Sequence, residues 1–191
     1  MQRCCGLEDK VPPNQRLTSS FPVLHVGPVP EFDLKTWDFV VEGVVENPVK
    51  LSFDEFLKLP KVVSVSDFHC VTGWSKLNNR WEGVLFKTIV DLVKPLKEAK
   101  YVTVVAEGDY TTSLPLGELL SDDVLLAYGF EGKLLEPVHG GPLRLVVPKR
   151  YAYKSAKWVR KLRFTKEQEL GFWEKRGYSN SADPWKEERY G

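Results

Sequence analysis

The segment His69-Cys70-Val71-Thr72-Gly73-Trp74-Ser75 decides which fold and which chemistry this sequence predicts. It follows residues 61–68, in which valines alternate with serines, the period-two pattern of a half-buried strand. We therefore expect Cys70 just beyond a strand end, where a rigid sheet can position a loop. A thiolate in such a place can bind a soft or transition metal, although most single cysteines are buried, inert thiols.

A second segment, His139-Gly140-Gly141-Pro142-Leu143-Arg144, is followed by Ser155-Ala156-Lys157 and has the composition of an anion site. Its two glycines let a ligand approach the backbone closely, and its arginine begins an apolar strand and needs hydrogen-bond acceptors. A phosphate would serve, with the later serine and lysine as further donors; the carboxylate of Glu136 is the simpler alternative. Together the two segments predict a cofactor that carries both a metal and a phosphate.

The composition is that of an ordinary soluble globular protein. The 191 residues suit one domain, with 42% hydrophobic and 28% charged residues. A net charge of +1 provides no basic footprint for nucleic acid, and no apolar run is long enough to span a bilayer. The N-terminus lacks the apolar core of a signal peptide, so we expect a cytoplasmic protein. We interpret the adjacent Cys4 and Cys5 as an incidental pair, not as a disulfide framework.

Strand patterns dominate the chain and helical patterns are short, which predicts an α+β fold with mixed β-sheets and a few short helices. A capping box at Ser52 and Glu55 predicts one helix, and the apolar spacing over residues 86–93 predicts another. Strands are predicted over residues 37–45, 61–68, 101–106, 110–114, 124–128, 143–147 and 158–164.

Three regions follow from these patterns. Residues 1–35 are rich in proline and are predicted to form an extended N-terminal arm, and residues 36–165 form the domain. Residues 166–191 are a charged tail that carries five aromatic residues. Disordered tails seldom hold so many aromatic residues, so we expect the tail to pack on the domain; a partner-binding segment is the alternative.

Five pieces of sequence, in this order, resemble the molybdenum-cofactor domain of the sulfite oxidase family. The pieces are HCVTGWS (69–75), YTTSLPL (110–116), LLAY (125–128), HGGPLRLVVP (139–148) and KSAKW (154–158). The likeness is greatest to small, stand-alone sulfite-oxidase-like oxidoreductases and spans about residues 37–164. It implies a single sulfite-oxidase-type molybdopterin-binding domain, a molybdenum–molybdopterin cofactor, a small-molecule substrate and a separate, unidentified electron-transfer partner.

The resemblance also implies roles for individual residues. Cys70 corresponds to the cysteine whose thiolate binds molybdenum, and Tyr110 to a tyrosine that faces the substrate side of the metal. We also predict that His69 binds the cofactor; His69 or a nearby backbone amide could adjust the metal through contacts with the metal's ligands. His139 and Arg144 correspond to the family's residues that hold the pterin and its phosphate. The family's phosphate-binding loop corresponds to Ser155, Ala156 and Lys157.

Two departures from the family pattern bear on substrate and cofactor. Sulfite oxidases follow their cysteine with a basic Asn-Arg-Arg run, whereas Val71-Thr72-Gly73-Trp74 stands here. That run is closer to the bacterial methionine-sulfoxide-reducing relatives and puts sulfite in doubt as the substrate. The substrate of the predicted oxygen-atom transfer, sulfite or an S-oxide-like small molecule, therefore stays open. Those relatives are exported and work with a membrane haem protein, and Ala106 stands where they carry a cofactor-binding threonine.

Two alternatives of other classes remain open from the sequence. Cys70, His69, His139 and His25 could together bind zinc, because cysteine and histidine are the usual ligands of that metal. A non-catalytic molybdopterin-binding module would keep the shape of the cofactor domain without turnover.

Overall fold

The structure is a computed structural model that describes residues 11–191, so Cys4 and Cys5 lie outside the described residues. Along this range the chain forms eleven strands and three α-helices. In chain order the elements are β1 (Arg16–Leu17), β2 (Asp38–Gly43), β3 (Val49–Ser52), α1 (Phe53–Leu57), β4 (Lys61–Cys70), β5 (Trp74–Leu85), α2 (Phe86–Val93), β6 (Tyr101–Ala106), β7 (Thr111–Pro115), α3 (Leu116–Leu119), β8 (Leu125–Phe130), β9 (Lys133–Leu134), β10 (Arg144–Val146) and β11 (Val159–Thr165).

The strands form two sheets, and both sheets are mixed. In the first sheet β5 pairs with β4 and β8, β8 pairs with β9 and β10, and all these pairs are antiparallel, while β1 joins β5 in parallel. The second sheet has the order β3-β2-β11-β6-β7, in which only the β2–β11 pair is parallel. The predicted α+β fold with mixed sheets and a few short helices is therefore confirmed.

The main core lies between the two sheets. Phe39 and Val41 of β2 and Leu162 of β11 are fully buried there, together with Leu126 of β8 and Leu145 of β10. Because side chains alternate along a strand, the neighbours of these residues in the first sheet face the other way.

Those neighbours form a second buried group, here called the outer cluster, on the far face of the first sheet. Its members include Phe68, Cys70, Trp74, Trp81, Leu125, Ala127 and Val146. The first sheet is thus packed on both faces near Cys70, which makes it a rigid support for the hairpin that carries the thiol.

Helices α1 and α2 form where the sequence places them, for local reasons. The Ser52 hydroxyl accepts a hydrogen bond from the Glu55 amide, and the Glu55 carboxylate accepts one from the Ser52 amide at 2.8 Å, which completes the predicted capping box. Helix α2 buries Phe86, Ile89 and Val93, one face at helical spacing.

Sequence patterns missed β5, which at twelve residues is the longest strand. Its middle is polar, and Asn78 has a positive φ of 55°, so no alternation of apolar and polar residues is visible there. Strand β4 also differs in detail. It includes Cys70 as its last residue, and its two alternating valines, Val63 and Val65, are 48% and 60% exposed. The alternation was recognised correctly, but the apolar side chains face solvent.

The C-terminal tail lies against the domain. The Lys154 ammonium and the Glu174 carboxylate are 2.5 Å apart with side chains only 1% exposed, and the Thr112 hydroxyl donates to the same carboxylate oxygen at 2.7 Å. Further along, the Tyr151 amide donates to the Ala182 carbonyl at 2.8 Å. The buried pair fixes the tail next to the segment that follows β10. Among residues 11–191, no helix is both long enough and apolar enough to cross a bilayer.

Candidate active site

The β4–β5 hairpin positions Cys70. Cys70 pairs with Trp74 across the hairpin, and the three residues between them form a turn closed by the Gly73 amide, which donates to the Cys70 carbonyl at 3.0 Å. Gly73 has a φ of 92°, a left-handed conformation that glycine adopts without strain. The turn brings the Thr72 hydroxyl to 3.1 Å from the Cys70 Sγ, and the thiol is 7% exposed.

A cavity of about 290 Å³ opens beside the thiol. Six of the eight predicted site residues line it: Cys70, Tyr110, Arg144, Ser155, Ala156 and Lys157. The N-terminal arm supplies Phe21, Pro22, Leu24, His25 and Val26, and the tail supplies Trp173 and Tyr178. Segments from between residues 21 and 178 therefore converge on one cavity, with the thiol and the two basic residues in its wall.

Arg144 is a buried cation without a carboxylate partner among residues 11–191. Its guanidinium donates to the carbonyls of His139 at 2.7 Å and Ser155 at 3.0 Å, while its Nε has no partner. The side chain is 2% exposed, and burial lowers its pKa to about 9. The alternative acceptor, Glu136, is exposed and forms no such pair. A buried guanidinium in this state needs an anionic ligand to offset the cost of burying its charge.

Lys157 lies beside Arg144 and has no carboxylate partner in the described part of the chain either. Its ammonium donates to the Val138 carbonyl at 2.6 Å. Burial, and then the nearby Arg144 charge, lower its pKa to about 7. Gly140, with a φ of 109°, leaves room for the lysine stem, because a Cβ there would lie 3.0 Å from it. Two unpaired basic groups at one wall are suited to a phosphate.

The backbone around Ser155 and Ala156 ties this wall to strand β10. The Ser155 hydroxyl accepts from the Val147 amide at 2.9 Å, and the Ala156 carbonyl accepts from the Leu145 amide at 2.9 Å. Ser155 retains its hydroxyl proton, which it can donate to a ligand.

The two predicted histidines do not line the cavity. His69 is hydrogen-bonded through Nδ1 to the Ser75 hydroxyl at 2.8 Å, and burial lowers its pKa. It precedes Cys70 in β4, so its ring lies on the opposite face of the strand. His139 stacks on Phe21, with ring centroids 4.6 Å apart, and its carbonyl, not its ring, contacts Arg144. Their predicted roles toward the cofactor stay predictions.

The hydroxyl of Tyr110 donates to the Tyr153 carbonyl at 2.5 Å. Burial raises the pKa of Tyr110 well above its ordinary value, so the group stays protonated. To donate to a substrate oxygen instead, the hydroxyl must exchange this partner, and its predicted place on the substrate side stays a prediction.

The structure does not assemble the alternative zinc site. In the range 11–191, no group of three or more histidine, cysteine, aspartate or glutamate side chains is placed to hold a metal ion. Cys70 and His25 line the cavity, while His69 and His139 do not.

Sequence analysis missed the aromatic residues that complete the cavity wall. Phe21 comes from the arm, and Trp173 and Tyr178 come from the tail. Their one signal in the sequence was the unusual number of aromatic residues in the tail, which indicated packing but gave no location.

Residues 26–173 match the family model described as an oxidoreductase molybdopterin-binding domain. The chain belongs to this family. It is a molybdopterin-dependent oxidoreductase, which confirms the resemblance, the cofactor and the enzyme class predicted above. Because the members of this family are enzymes, the membership also argues against the alternative of a non-catalytic module.

Individual relatives agree with this membership. The chain is 48% identical over 182 residues to an uncharacterized oxidoreductase, YuiH, of Bacillus subtilis, covering 95% of this chain and 92% of that protein. It is 33% identical over 160 residues to the protein-methionine-sulfoxide reductase catalytic subunit MsrP of Campylobacter jejuni, covering 75% of this chain and 54% of that protein. This chain thus spans about half of the length of the Campylobacter relative.

A solved structure has the same fold. The sulfane dehydrogenase SoxCD of Paracoccus pantotrophus superposes with a TM-score of 0.67 over 73% of this chain and 40% of that chain. At 23% identity the likeness concerns the fold alone.

The residues present fit the family's cofactor on the evidence of their own geometry. The cavity wall holds a buried thiol, which can serve as a metal ligand, and two basic side chains with no carboxylate partner in the described chain. The Nε of Arg144 is buried and unsatisfied, as expected of a donor whose acceptor is a bound anion.

We expect the depressed pKa of Lys157 to make the stability of the cofactor-free protein depend on pH. Between pH 7 and about 10 the unfolded chain binds a proton that the folded protein does not, so the free energy of unfolding rises with pH. One proton limits this slope to about 1.4 kcal/mol per pH unit. Urea unfolding of wild type and Lys157→Met at pH 7, 8 and 9 measures it.

The difference in unfolding free energy between wild type and Lys157→Met should change with pH, because other titrating groups cancel between the two proteins. A difference that stays constant over this range would contradict the prediction. Adding the cofactor should flatten the slope, since an anion next to Lys157 raises the pKa of its ammonium.

Proposed function

We propose that this chain reduces a neutral S-oxide by oxygen-atom transfer at a molybdenum centre ligated by the Cys70 thiolate. The observation that carries the proposal is the uncharged, aromatic wall next to the hairpin. Val71 packs against a cluster that contains Tyr153, Trp173 and Tyr178, and all four residues line the cavity.

Charge distribution in the cavity supports a neutral substrate. Of the twenty described residues that line it, only Arg144, Lys157 and His25 can carry positive charge. The two unpaired cations are accounted for by the cofactor phosphate. An oxyanion such as sulfite would then have only the exposed His25 as a basic partner at this cavity, and burying a poorly paired charge is costly. Aromatic side chains, by contrast, make favourable contacts with sulfur.

When bound, the cofactor supplies a metal that changes oxidation state and accepts an oxygen atom, which no side chain can do. The chain would hold the metal through Cys70 and the phosphate through Arg144 and Lys157, and its aromatic wall would exclude water from the site. The overall reaction takes an S-oxide, two protons and two electrons to a thioether and water. The electrons come from a separate reduced carrier protein, as the resemblance implies.

The relatives support this direction of reaction. The Campylobacter protein is named as a protein-methionine-sulfoxide reductase catalytic subunit. A 32% identical protein of Azospira oryzae, of which this chain covers 64%, is named as a putative protein-methionine-sulfoxide reductase subunit. The cytoplasmic location stays a prediction, which fractionation of the native cells tests.

A dye-linked assay tests the proposed function. Protein expressed with molybdate should oxidise reduced methyl viologen when methionine sulfoxide or dimethyl sulfoxide is added. In a second assay, with sulfite as the electron donor and ferricyanide as the acceptor, its turnover rate should be at least tenfold lower than its rate with the sulfoxides. Protein expressed in a host that does not make the molybdopterin, and therefore without the cofactor, is the matched inactive control. Rapid sulfite oxidation without sulfoxide reduction would refute the proposal.

A further inference from the structure

The Thr72 hydroxyl lies 3.1 Å from the Cys70 sulfur, within hydrogen-bond distance. Thr72 lines the same cavity, and within residues 11–191 its hydroxyl makes this one hydrogen bond. Nothing in the part of the chain that the structure describes therefore requires the hydroxyl for another purpose.

The hairpin turn fixes this contact. Gly73 closes the turn in a left-handed conformation, and the Cys70–Trp74 pair holds both ends in register. On the other side of the hairpin end, the Gln15 side chain donates to the Cys70 carbonyl at 3.2 Å. The backbone between Cys70 and Thr72 is thus held from two sides, so the oxygen–sulfur distance follows from the fold.

Metal ligation decides the direction of the hydrogen bond. In the free thiol either atom can donate, but a thiolate bound to a metal has no proton and can only accept. The Thr72 hydroxyl is then the donor. A hydrogen bond to a ligating sulfur withdraws electron density from it, and such bonds are among the factors that set reduction potentials of metal–thiolate centres.

We propose that Thr72 is a positioning residue that donates a hydrogen bond to the Cys70 thiolate and raises the reduction potential of the bound molybdenum. This inference rests on the proposed ligation by Cys70. A weaker sulfur donor favours the reduced metal, which makes electrons easier to load from a carrier and suits an enzyme that works as a reductase. Specificity for the S-oxide lies elsewhere, in the aromatic wall.

Two substitutions separate the hydroxyl from the shape of the side chain. Thr72→Val keeps the branched shape and removes the donor, while Thr72→Ser keeps the donor. Thr72 is exposed, so both variants are expected to fold. Thr36→Val is the control, because it removes an exposed hydroxyl that donates to the Asp33 carbonyl, outside the cavity lining.

The measurements are molybdenum content, the Mo(V)/Mo(IV) midpoint potential by redox titration monitored with electron paramagnetic resonance, and the sulfur-to-molybdenum charge-transfer absorption. In Thr72→Val the potential should shift to lower values and the absorption to longer wavelength. Thr72→Ser should resemble wild type, and so should Thr36→Val. Loss of metal from Thr72→Val alone would also show that the hydroxyl supports the thiolate.

Full molybdenum content in Thr72→Val with potential and absorption unchanged would overturn the inference, and so would equal changes in Thr72→Val and Thr72→Ser. These outcomes differ from failure of the proposed function. If wild-type protein grown with molybdate contains no molybdenum, or if Cys70→Ser leaves the charge-transfer absorption intact, the ligation itself is wrong.

Discussion

Cys70→Ser should lower sulfoxide-dependent turnover by on the order of 1,000-fold or more, as removal of a group on which the reaction depends usually does. A serine hydroxyl is nearly isosteric with the thiol, but it is a hard oxygen donor that stays protonated near neutral pH and replaces a soft thiolate poorly. The hairpin should persist, because its closure depends on the Gly73 amide and the Cys70 carbonyl, which the substitution leaves in place.

Three measurements distinguish loss of the ligand from loss of the fold. Circular dichroism should match wild type, and fluorescence of the oxidised pterin should show that most of the cofactor's organic part is retained. The viologen assay should show almost no turnover. A Cys4→Ser, Cys5→Ser double variant removes the chain's other two thiols and should keep full activity. Substantial turnover by Cys70→Ser would refute ligation by this residue.

Arg144→Ala should strip the cofactor from the purified protein. The guanidinium is predicted to form charge-assisted hydrogen bonds with the phosphate, which contribute about 1.5–3 kcal/mol each. Loss of one such bond weakens binding about 10- to 100-fold, and loss of two weakens it by more. Molybdenum and pterin per mole of protein, before and after gel filtration, measure the effect.

Two further variants control for structural damage, because Arg144 also donates to two carbonyls. Arg144→Lys keeps the charge and should retain an intermediate amount of cofactor. Arg150→Ala removes another arginine of the same region, but Arg150 already has carboxylate partners in Glu118 at 2.8 Å and Asp183 at 3.6 Å. It should keep full cofactor content. Full occupancy in Arg144→Ala would contradict the phosphate role.

Much of the local structure followed from short-range patterns. The capping box placed the start of α1, and helical spacing placed α2. Strand β5 escaped prediction because its polar middle is stabilised by pairing with strands on both sides, not by an apolar face of its own. A central strand with neighbours on each edge does not need the alternation from which sequence patterns recognise strands.

The candidate site was likewise predicted from the sequence only in part. Cys70, Arg144 and Lys157 were identified from their residue types and from a family resemblance, and the structure places all three at one cavity. The contact between Thr72 and Cys70 follows from a turn of three residues, yet its significance appears only with the distance in hand. The aromatic wall was not predictable, because two of its members, Trp173 and Tyr178, come from a tail more than 90 residues away from the hairpin along the chain.

By itself the sequence determined the residue types and the positions of helices α1 and α2, because each depends on neighbours within a few positions. The tertiary structure decided which buried cation is satisfied. Lys154 meets Glu174 from the tail, whereas Arg144, ten positions earlier, meets only carbonyls and aromatic rings. Sequence shows a charge but not its partner, because an ion pair depends on which distant segments pack together and on how far they exclude water.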